Sequence, residues 1–277
     1  MTKENYDSNV IDDFGDEWDA YDQSTVDSSE LEKQFLDYFK LFSWDERVTK
    51  GIGADFGCGS GRWAKFVADR VKTLICIDAS EKAANVAKRN LADKTNCQVM
   101  LAKVDELPMP DNSLDFAYSL GVLHHIPDTA EAIKNCTDKL KSGAPFLIYL
   151  YYAFDNRPKW FAFIWKCSDV FRSVISKMPF FIKYPLSNVI AAFVYYPLAR
   201  LTLLIEKLGM DVSNVPLTEY RAKSFYTMRT DALDRFGTRL ENRFTQVQIK
   251  KMMEDAGLKD IKFSDIAPYW CVLGIKQ

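Results

Sequence analysis

Short apolar segments alternate with helical segments over Ile52–Tyr151, and this alternation constrains the fold more than any other feature of the chain. The apolar segments have the length and the β-branched and aromatic content of buried strands: GIGADF, TLICID, CQVML, LDFAYSL and APFLIYLYY. The segments with a helical pattern are Gly61–Val71, Ser80–Leu91 and Asp128–Leu140. Such alternation predicts βαβ units, a parallel sheet and right-handed crossovers.

Two further strands are predicted near the C-terminal end. The segment LKDIKFSDIAPYWCVLGIK alternates like an antiparallel hairpin, and a helix over residues 245–256, capped by Thr245, precedes it. The prediction is therefore an α/β fold with a doubly wound, mostly parallel, seven-stranded sheet. After the fifth strand the alternation stops, and a helical, aromatic-rich insertion follows.

Charge is balanced only over the whole chain. Lys and Arg number 36 against 38 Asp and Glu, which gives no reason to expect nucleic-acid binding. Residues 1–50 carry fourteen acidic and five basic side chains, whereas residues 151–210 carry eight basic, three acidic and fourteen aromatic ones. Two interpretations stay open: these segments pack together, or the basic, aromatic segment meets an anionic or amphipathic acceptor, such as one at a membrane surface.

The longest uncharged run, Tyr184–Ala199, has sixteen residues. A membrane-spanning helix needs about twenty apolar residues, so this run predicts a buried or interfacial helix. The first residues lack the apolar stretch of a secretory signal, and six scattered cysteines without CxxC spacing favour reduced thiols and no metal site. We expect a soluble, cytoplasmic protein that can contact a membrane peripherally.

The segment Asp55–Gly61, DFGCGSG, follows the first strand and opens a helix. Three glycines at alternate positions remove Cβ atoms where the chain must turn and approach a ligand. The spacing is GxGxG, unlike the GxGxxG of dinucleotide-binding enzymes, and the acid would repel a pyrophosphate. Asp78, at the end of the second strand, has the carboxylate that a ribose diol needs. The predicted ligand is a positively charged nucleoside without phosphates.

On these residues the sequence resembles the class I S-adenosylmethionine-dependent methyltransferases. The resemblance covers Ile52–Tyr151 and rests on DFGCGSG, CIDAS and LPMPDNSLDFAYSLGVLHHIPD. It implies a Rossmann-like methyltransferase fold, methyltransferase activity, the cofactor S-adenosyl-L-methionine and the product S-adenosyl-L-homocysteine. Together with the segment pattern it predicts a helical lid over residues 1–45, a cofactor-binding core over 46–152 and 243–277, and an acceptor-binding insertion over 153–242.

The resemblance also implies which residues hold the cofactor. The roles fall on Asp55, Gly57, Gly59 and Gly61 for the methionine and ribose part, Asp78 for the ribose hydroxyls, Leu120 and Gly121 for the methionine end, and Val104 and Asp105 for the adenine. At the adenine the sequence departs from its relatives, which often carry an acid where Lys103 stands.

Phe14, Trp18 and Tyr21 are spaced as one aromatic stripe of a helix. One interpretation is a stripe that packs in the core. The other is a lid in which Trp18 and Tyr21 cover the sulfonium of the cofactor, because aromatic faces attract cations.

The two histidines of the chain, His124 and His125, follow the fourth strand. A histidine there can act as a general base or position the acceptor, or it can be a packed loop residue; we favour His125 as the base. In the Tyr- and Arg-rich segment 220–243, Tyr226 and Arg229 are predicted to bind an anionic acceptor, the alternative being a solvated helix face.

The sequence thus predicts metal-independent, in-line methyl transfer to an O or N atom of a small, anionic molecule. Two other functions stay open: methylation of a membrane-associated lipid or quinone, and cofactor binding without catalysis. The glycine spacing disfavours an NAD-dependent dehydrogenase. The sequence makes no prediction of the oligomeric state.

Overall fold

The computed structural model describes residues 4–277. Its seven strands form one sheet in the order β3-β2-β1-β4-β5-β7-β6. They are β1 (Ile52–Phe56), β2 (Thr73–Asp78), β3 (Cys97–Leu101), β4 (Phe116–Leu120), β5 (Pro145–Tyr149), β6 (Leu258–Phe263) and β7 (Cys271–Lys276). Strands β1 to β5 pair in parallel, and β7 pairs antiparallel with both β5 and β6. The predicted doubly wound, mostly parallel sheet with a terminal antiparallel hairpin is confirmed.

Eleven helices accompany the sheet within the described residues. They are α1 (Ser8–Ala20), α2 (Ser28–Tyr38), α3 (Glu46–Thr49), α4 (Ala64–Ala68), α5 (Glu81–Asn90), α6 (Thr129–Asp138), α7 (Lys159–Ile175), α8 (Phe180–Ile190), α9 (Tyr196–Lys207), α10 (Phe225–Gly237) and α11 (Gln246–Asp255). The predicted cap of α11 is present: Thr245 and Gln248 form a capping box, in which each side chain accepts from the other residue's backbone N–H.

The starts of α4 and α5 depend on the loop glycines and on Asp78. Helix α4 begins at Ala64 instead of Gly61, because positive φ angles at Gly57, Gly59 and Gly61 keep the preceding chain in a loop. Ser80 does precede α5, but its side chain makes no capping hydrogen bond. The Asp78 carboxylate accepts from the Ser80 backbone N–H instead, at 2.9 Å.

The chain divides into two compact units. The first comprises the residues up to Ser24, Leu31–Tyr152 and Leu240–Gln277, and the second comprises Thr25–Glu30 and Ala153–Arg239. Residues of the predicted lid fall in both units, Thr25–Glu30 in the second and the other described ones in the first, and their role as a lid stays a prediction. Helix α1 packs on α5, and the aromatic side chains that follow α1 join the core on one face of the sheet.

The core of the first unit lies on both faces of the sheet, because successive strand residues point to opposite faces. Phe146 and Ile148 pack under α6 and α11, whereas Leu147 packs with α2, α4 and α5 on the other face. This two-sided cover explains why β4 and β5 are apolar along most of their length.

In the second unit, α8 and α9 are joined by a π-helical turn over Ala191–Tyr195, so that Phe180–Lys207 is one continuous helix of 28 residues. By length and composition this helix could cross a membrane. Only 22% of its most apolar stretch is buried inside the protein. For the run Tyr184–Ala199 the sequence predicted a buried or an interfacial helix, and the low burial contradicts the buried form. Helix α10 packs against both α7 and α8.

Close packing inside the sheet can be tested at Gly53. A Cβ atom at this position would collide with the ring of Phe116, its partner on β4. We expect Gly53→Ala to lower the free energy of unfolding by about 1–3 kcal/mol, measured by urea denaturation. Gly53→Ala combined with Phe116→Leu should recover part of that loss, and an unchanged midpoint in Gly53→Ala would contradict the packing described.

Candidate active site

The loop between β1 and α4 has a backbone that only glycine adopts readily. Gly57, Gly59 and Gly61 have φ angles of 81°, 54° and 76°. A Cβ on Gly57 would collide with Val122, and one on Gly59 would lie 2.8 Å from the Trp18 ring. The loop therefore forms a cradle that side chains at these positions would fill.

Asp78 ties this loop to the end of β2. One of its carboxylate oxygens accepts from the Gly59 backbone N–H at 2.8 Å, and the other accepts from Ser80. Burial raises the pKa of Asp78, and these backbone hydrogen bonds oppose the rise. Because each carboxylate oxygen can accept a second hydrogen bond and the residue is only half-buried, Asp78 can support the loop and still bind a ribose diol.

Asp55, the fourth residue of β1, carries a buried carboxyl group at the start of the loop. Its Oδ2 has no hydrogen-bond partner among residues 4–277. Burial is the main cause that raises its pKa to about 8; the charge of Asp78 adds to the rise, while the Tyr118 hydroxyl and Arg62 oppose it. An unpartnered buried carboxyl group fits a ligand with a cationic end.

The predicted adenine residues follow β3. The Lys103 ammonium lies 3.4 Å from the centroid of the Tyr6 ring, and the charge of Asp105 also acts on it. Asp105 accepts from the Asn5 backbone N–H through Oδ2, and its buried Oδ1 has no partner in the described part of the chain. Val104 packs against the core. Asp105 Oδ1 is thus able to accept from an adenine amino group.

Helix α1 reaches from the glycine loop to the histidines. Trp18 lies against Gly59 and also 5.2 Å from the Arg62 guanidinium, and Phe14 contacts the His125 ring edge-on at 4.7 Å. Tyr21 is fully buried at the end of the helix. The stripe is therefore divided: Tyr21 is a core residue, whereas the half-buried Trp18 packs against Gly59, and its role as a lid stays a prediction.

The two histidines lie side by side after β4, where Leu120 is buried and Gly121 has a φ of 81°. His125 Nδ1 is 2.7 Å from the Leu240 carbonyl oxygen. Because a carbonyl only accepts, Nδ1 carries the proton and Nε2 is the basic nitrogen. This hydrogen bond fixes both the tautomer and the orientation of the ring.

His124 is fully buried and its ring lies 3.9 Å from that of Tyr151. Neither ring nitrogen has a hydrogen-bond partner within the described residues. Burial lowers the pKa of His124 well below its usual value, and the charges of His125 and Arg243 lower it further. The ring is therefore neutral at physiological pH.

Arg243, whose charge acts on His124, forms an ion pair with Glu241 that the sequence did not predict. Arg243 Nε donates to Glu241 at 2.6 Å, and its guanidinium lies 4.9 Å from the centroid of the Tyr151 ring. Arg243 belongs to the arginine-rich segment, and nothing local in the sequence distinguishes it from the other arginines there. The contact depends on the pairing of Tyr151 with residue 244, which joins segments distant in the chain.

Tyr226 and Arg229, the predicted acceptor residues, lie on α10 in the second unit. Arg229 donates to Asn188 at 2.6 Å and to the Tyr184 hydroxyl at 3.3 Å, so its guanidinium holds α8 to α10. Tyr226 is half-buried. Their role toward an acceptor stays a prediction.

Comparison with known proteins agrees with this geometry. Residues 54–148 match the sequence model of a family described as a methyltransferase domain. An uncharacterized methyltransferase of Geobacillus is 28% identical over 148 residues, which cover 51% of this chain and 67% of that protein. A demethylmenaquinone methyltransferase of Staphylococcus aureus is 31% identical over 110 residues, 36% of this chain and 46% of that protein. The chain therefore spans about half to two thirds of the length of these relatives.

Among solved structures, an S-adenosylmethionine-dependent methyltransferase from Aquifex aeolicus matches 92% of this chain and 96% of its own, with a TM-score of 0.51 and 14% identity. At this identity the likeness shows the fold alone. Residues 54–148 are therefore a methyltransferase domain, and the sheet order and the family match confirm the predicted resemblance to the class I S-adenosylmethionine-dependent methyltransferases. The predicted fold, enzyme class and cofactor are confirmed.

The role of Asp78 can be tested by calorimetry with S-adenosylmethionine. We expect Asp78→Asn to weaken binding at least about tenfold, because it removes the charge that strengthens hydrogen bonds to the ribose hydroxyls. The amide oxygen can keep the bond from Gly59 but not also the bond from Ser80, so the thermal midpoint should fall modestly while the loop stays attached. Unchanged affinity would remove Asp78 from the ribose site.

The raised pKa of Asp55 predicts proton release on cofactor binding. At pH 7 a carboxyl group with a pKa of about 8 is mostly protonated, and a cationic ligand beside it favours ionisation. Calorimetry in buffers of different ionisation enthalpy should therefore show release of up to about one proton, with affinity rising toward pH 8. Asp55→Asn should abolish the release; equal heats in both buffers for the unaltered protein would contradict the assignment.

Proposed function

We propose that the protein transfers the methyl group of S-adenosylmethionine to an O or N atom of a small, anionic acceptor, without a metal ion. The observation that carries the proposal is the hydrogen bond between His125 Nδ1 and the Leu240 carbonyl, which makes Nε2 a fixed proton acceptor. A hydroxyl or ammonium acceptor must lose a proton as it is methylated, and a positioned imidazole can accept that proton.

The bound cofactor supplies a methyl group already activated by a positively charged sulfur. The protein's part is therefore alignment, which can account for several kcal/mol of the barrier. Asp55 and Asp78 hold the two ends of the cofactor's methionine and ribose part, and Trp18 excludes water from the loop. These roles rest on the space left by the loop glycines, on the unpartnered Asp55 Oδ2 and on the Trp18 ring beside Gly59.

Arg243 supports the choice of an anionic acceptor. Its side chain is mostly buried and is paired with Glu241 beside the ring of Tyr151. Its Nε donates to Glu241 and its Nη1 to the Tyr152 carbonyl, and the remaining guanidinium N–H groups can donate to a carboxylate or phosphate. In this proposal Arg243 orients the acceptor.

A second candidate is methylation of a membrane-associated lipid or quinone. The exposed apolar side chains of the second unit favour it. The similarity to a demethylmenaquinone methyltransferase over 36% of the chain is in keeping with such an acceptor.

The experiment that separates these candidates is transfer of an isotopically labelled methyl group to a bacterial extract, followed by mass spectrometry of its aqueous and organic fractions. Label in an aqueous anionic compound supports the first function, and label in a lipid or quinone supports the second. Cofactor binding without any labelled product would indicate a protein that binds the cofactor but does not catalyse transfer.

The general base can be tested once an acceptor is known. We expect His125→Gln to reduce kcat by about 100-fold, the lower limit for loss of a positioned base, with little change in cofactor affinity. His124→Gln, at the neighbouring ring, serves as the comparison and should reduce kcat less. An unchanged rate in His125→Gln would place the base elsewhere.

A further inference from the structure

Helix α7 of the second unit exposes apolar side chains along one face. Phe163, Val170, Phe171 and Val174 are all exposed, at spacings of seven, eight and eleven residues from the first, which is the repeat of one helix face. Trp160, one turn earlier, continues the same face and is also exposed. A helix on the surface of a water-soluble protein normally turns such a face toward the core.

The Asp169–Arg172 ion pair of α7 points inward instead. Arg172 Nε donates to Asp169 at 2.5 Å, and an Arg172 amino group donates to the Thr238 carbonyl at 2.9 Å. Arg235 of α10 lies 3.5 Å from the same Asp169 carboxylate. The helix is therefore inverted, with its ion pairs inside the unit and its apolar face outside.

The continuous helix Phe180–Lys207 is inverted in the same way. Lys183 is only 2% exposed and donates to the Gly237 carbonyl at 3.1 Å, and Ser187 is fully buried. On the other side Phe193 is 77% exposed, and the repeat of this face continues through further exposed apolar residues: Phe181, Val189, Leu201 and Leu204.

Exposed lysines accompany both apolar faces. They are Lys159, Lys166, Lys177 and Lys207. Lysine side chains beside an apolar face can extend their ammonium groups to anionic headgroups while their methylene stems stay in apolar surroundings. The charge of this surface is thus complementary to an anionic lipid surface.

We propose that the exposed faces of α7 and of Phe180–Lys207 insert into the headgroup region of an anionic lipid bilayer, with the helices lying in the membrane plane. This proposal stands on the second unit alone and does not require the acceptor proposed above. The helices lie in the plane because the side of Phe180–Lys207 that faces the rest of the unit carries buried polar side chains. If the helix crossed the membrane, Lys183 would enter the hydrocarbon. So would the non-helical segment at Arg221, whose carbonyl accepts a hydrogen bond from Arg200.

Association with a second copy of the chain is the competing use of these faces. It would bring the four exposed lysines of one copy against those of the other, and like charges across an interface disfavour association. A bilayer containing anionic lipid has the opposite charge, so the structure favours the membrane.

The test is co-sedimentation of the full chain with vesicles of phosphatidylcholine containing 30% phosphatidylglycerol, compared with phosphatidylcholine alone. Binding should be stronger to the anionic vesicles and should weaken as salt is added. Val170→Glu and Phe193→Glu should each reduce partitioning about tenfold, because each places a negative charge in the inserted face.

The matched control is Val247→Glu on α11 of the first unit. Val247 is 77% exposed but lies outside the two inverted helices, so this variant should bind vesicles like the unaltered protein. Trp160 fluorescence should be quenched by lipids brominated near the headgroup, and Trp160→Phe should lose that component.

Four results would overturn the proposal. They are absence of binding to the anionic vesicles, equal losses in Val170→Glu and Val247→Glu, resistance of the bound protein to alkaline carbonate, and a lipid-free dimer that Val170→Glu dissociates in the absence of vesicle binding. The third would indicate a spanning helix, and the fourth would assign the faces to self-association.

Discussion

The hydrogen bond from the Gly59 N–H to the Asp78 carboxylate is the interaction on which the donor side of the site depends. It joins the loop after β1 to the end of β2, and the Gly57 and Cys58 N–H groups reinforce it by donating to the Ile77 carbonyl. With the loop held in this way, its glycines leave a cradle between two carboxyl groups, Asp55 and Asp78. One carboxyl group is buried and favours neutrality, whereas the other is half-buried and hydrogen-bonded.

The strands were predictable because each is a short apolar run bounded by turn residues, a local signal. Helix α4 was predicted too long, since a helical pattern over Gly61–Val71 does not reveal that Gly61 has a positive φ. Asp78 and the glycines followed from a compact motif. Contacts between segments distant in the chain were not predictable: the sequence does not indicate that the Lys103 ammonium lies on the Tyr6 ring. Arg243 likewise comes near His124 only because the Phe244 N–H donates to the Tyr151 carbonyl.

The second unit shows what composition can and cannot indicate. Its excess of basic and aromatic residues was evident in the sequence and raised the idea of a membrane surface. The direction in which each side chain points was not evident, because the helical repeat of α7 is the same whether its apolar face is turned inward or outward. The position of the Asp169–Arg172 pair inside the unit decides the direction. The apolar repeat alone would have favoured a helix whose apolar face is turned toward the core.

A crystal structure with S-adenosylhomocysteine bound tests the central claim most directly. The account predicts density across the turn formed by residues 57–61, with the ligand's amino group about 3 Å from the Asp55 carboxylate and its ribose hydroxyls at Asp78. A ligand bound away from this turn, or bound there with its amino end remote from Asp55, would contradict it.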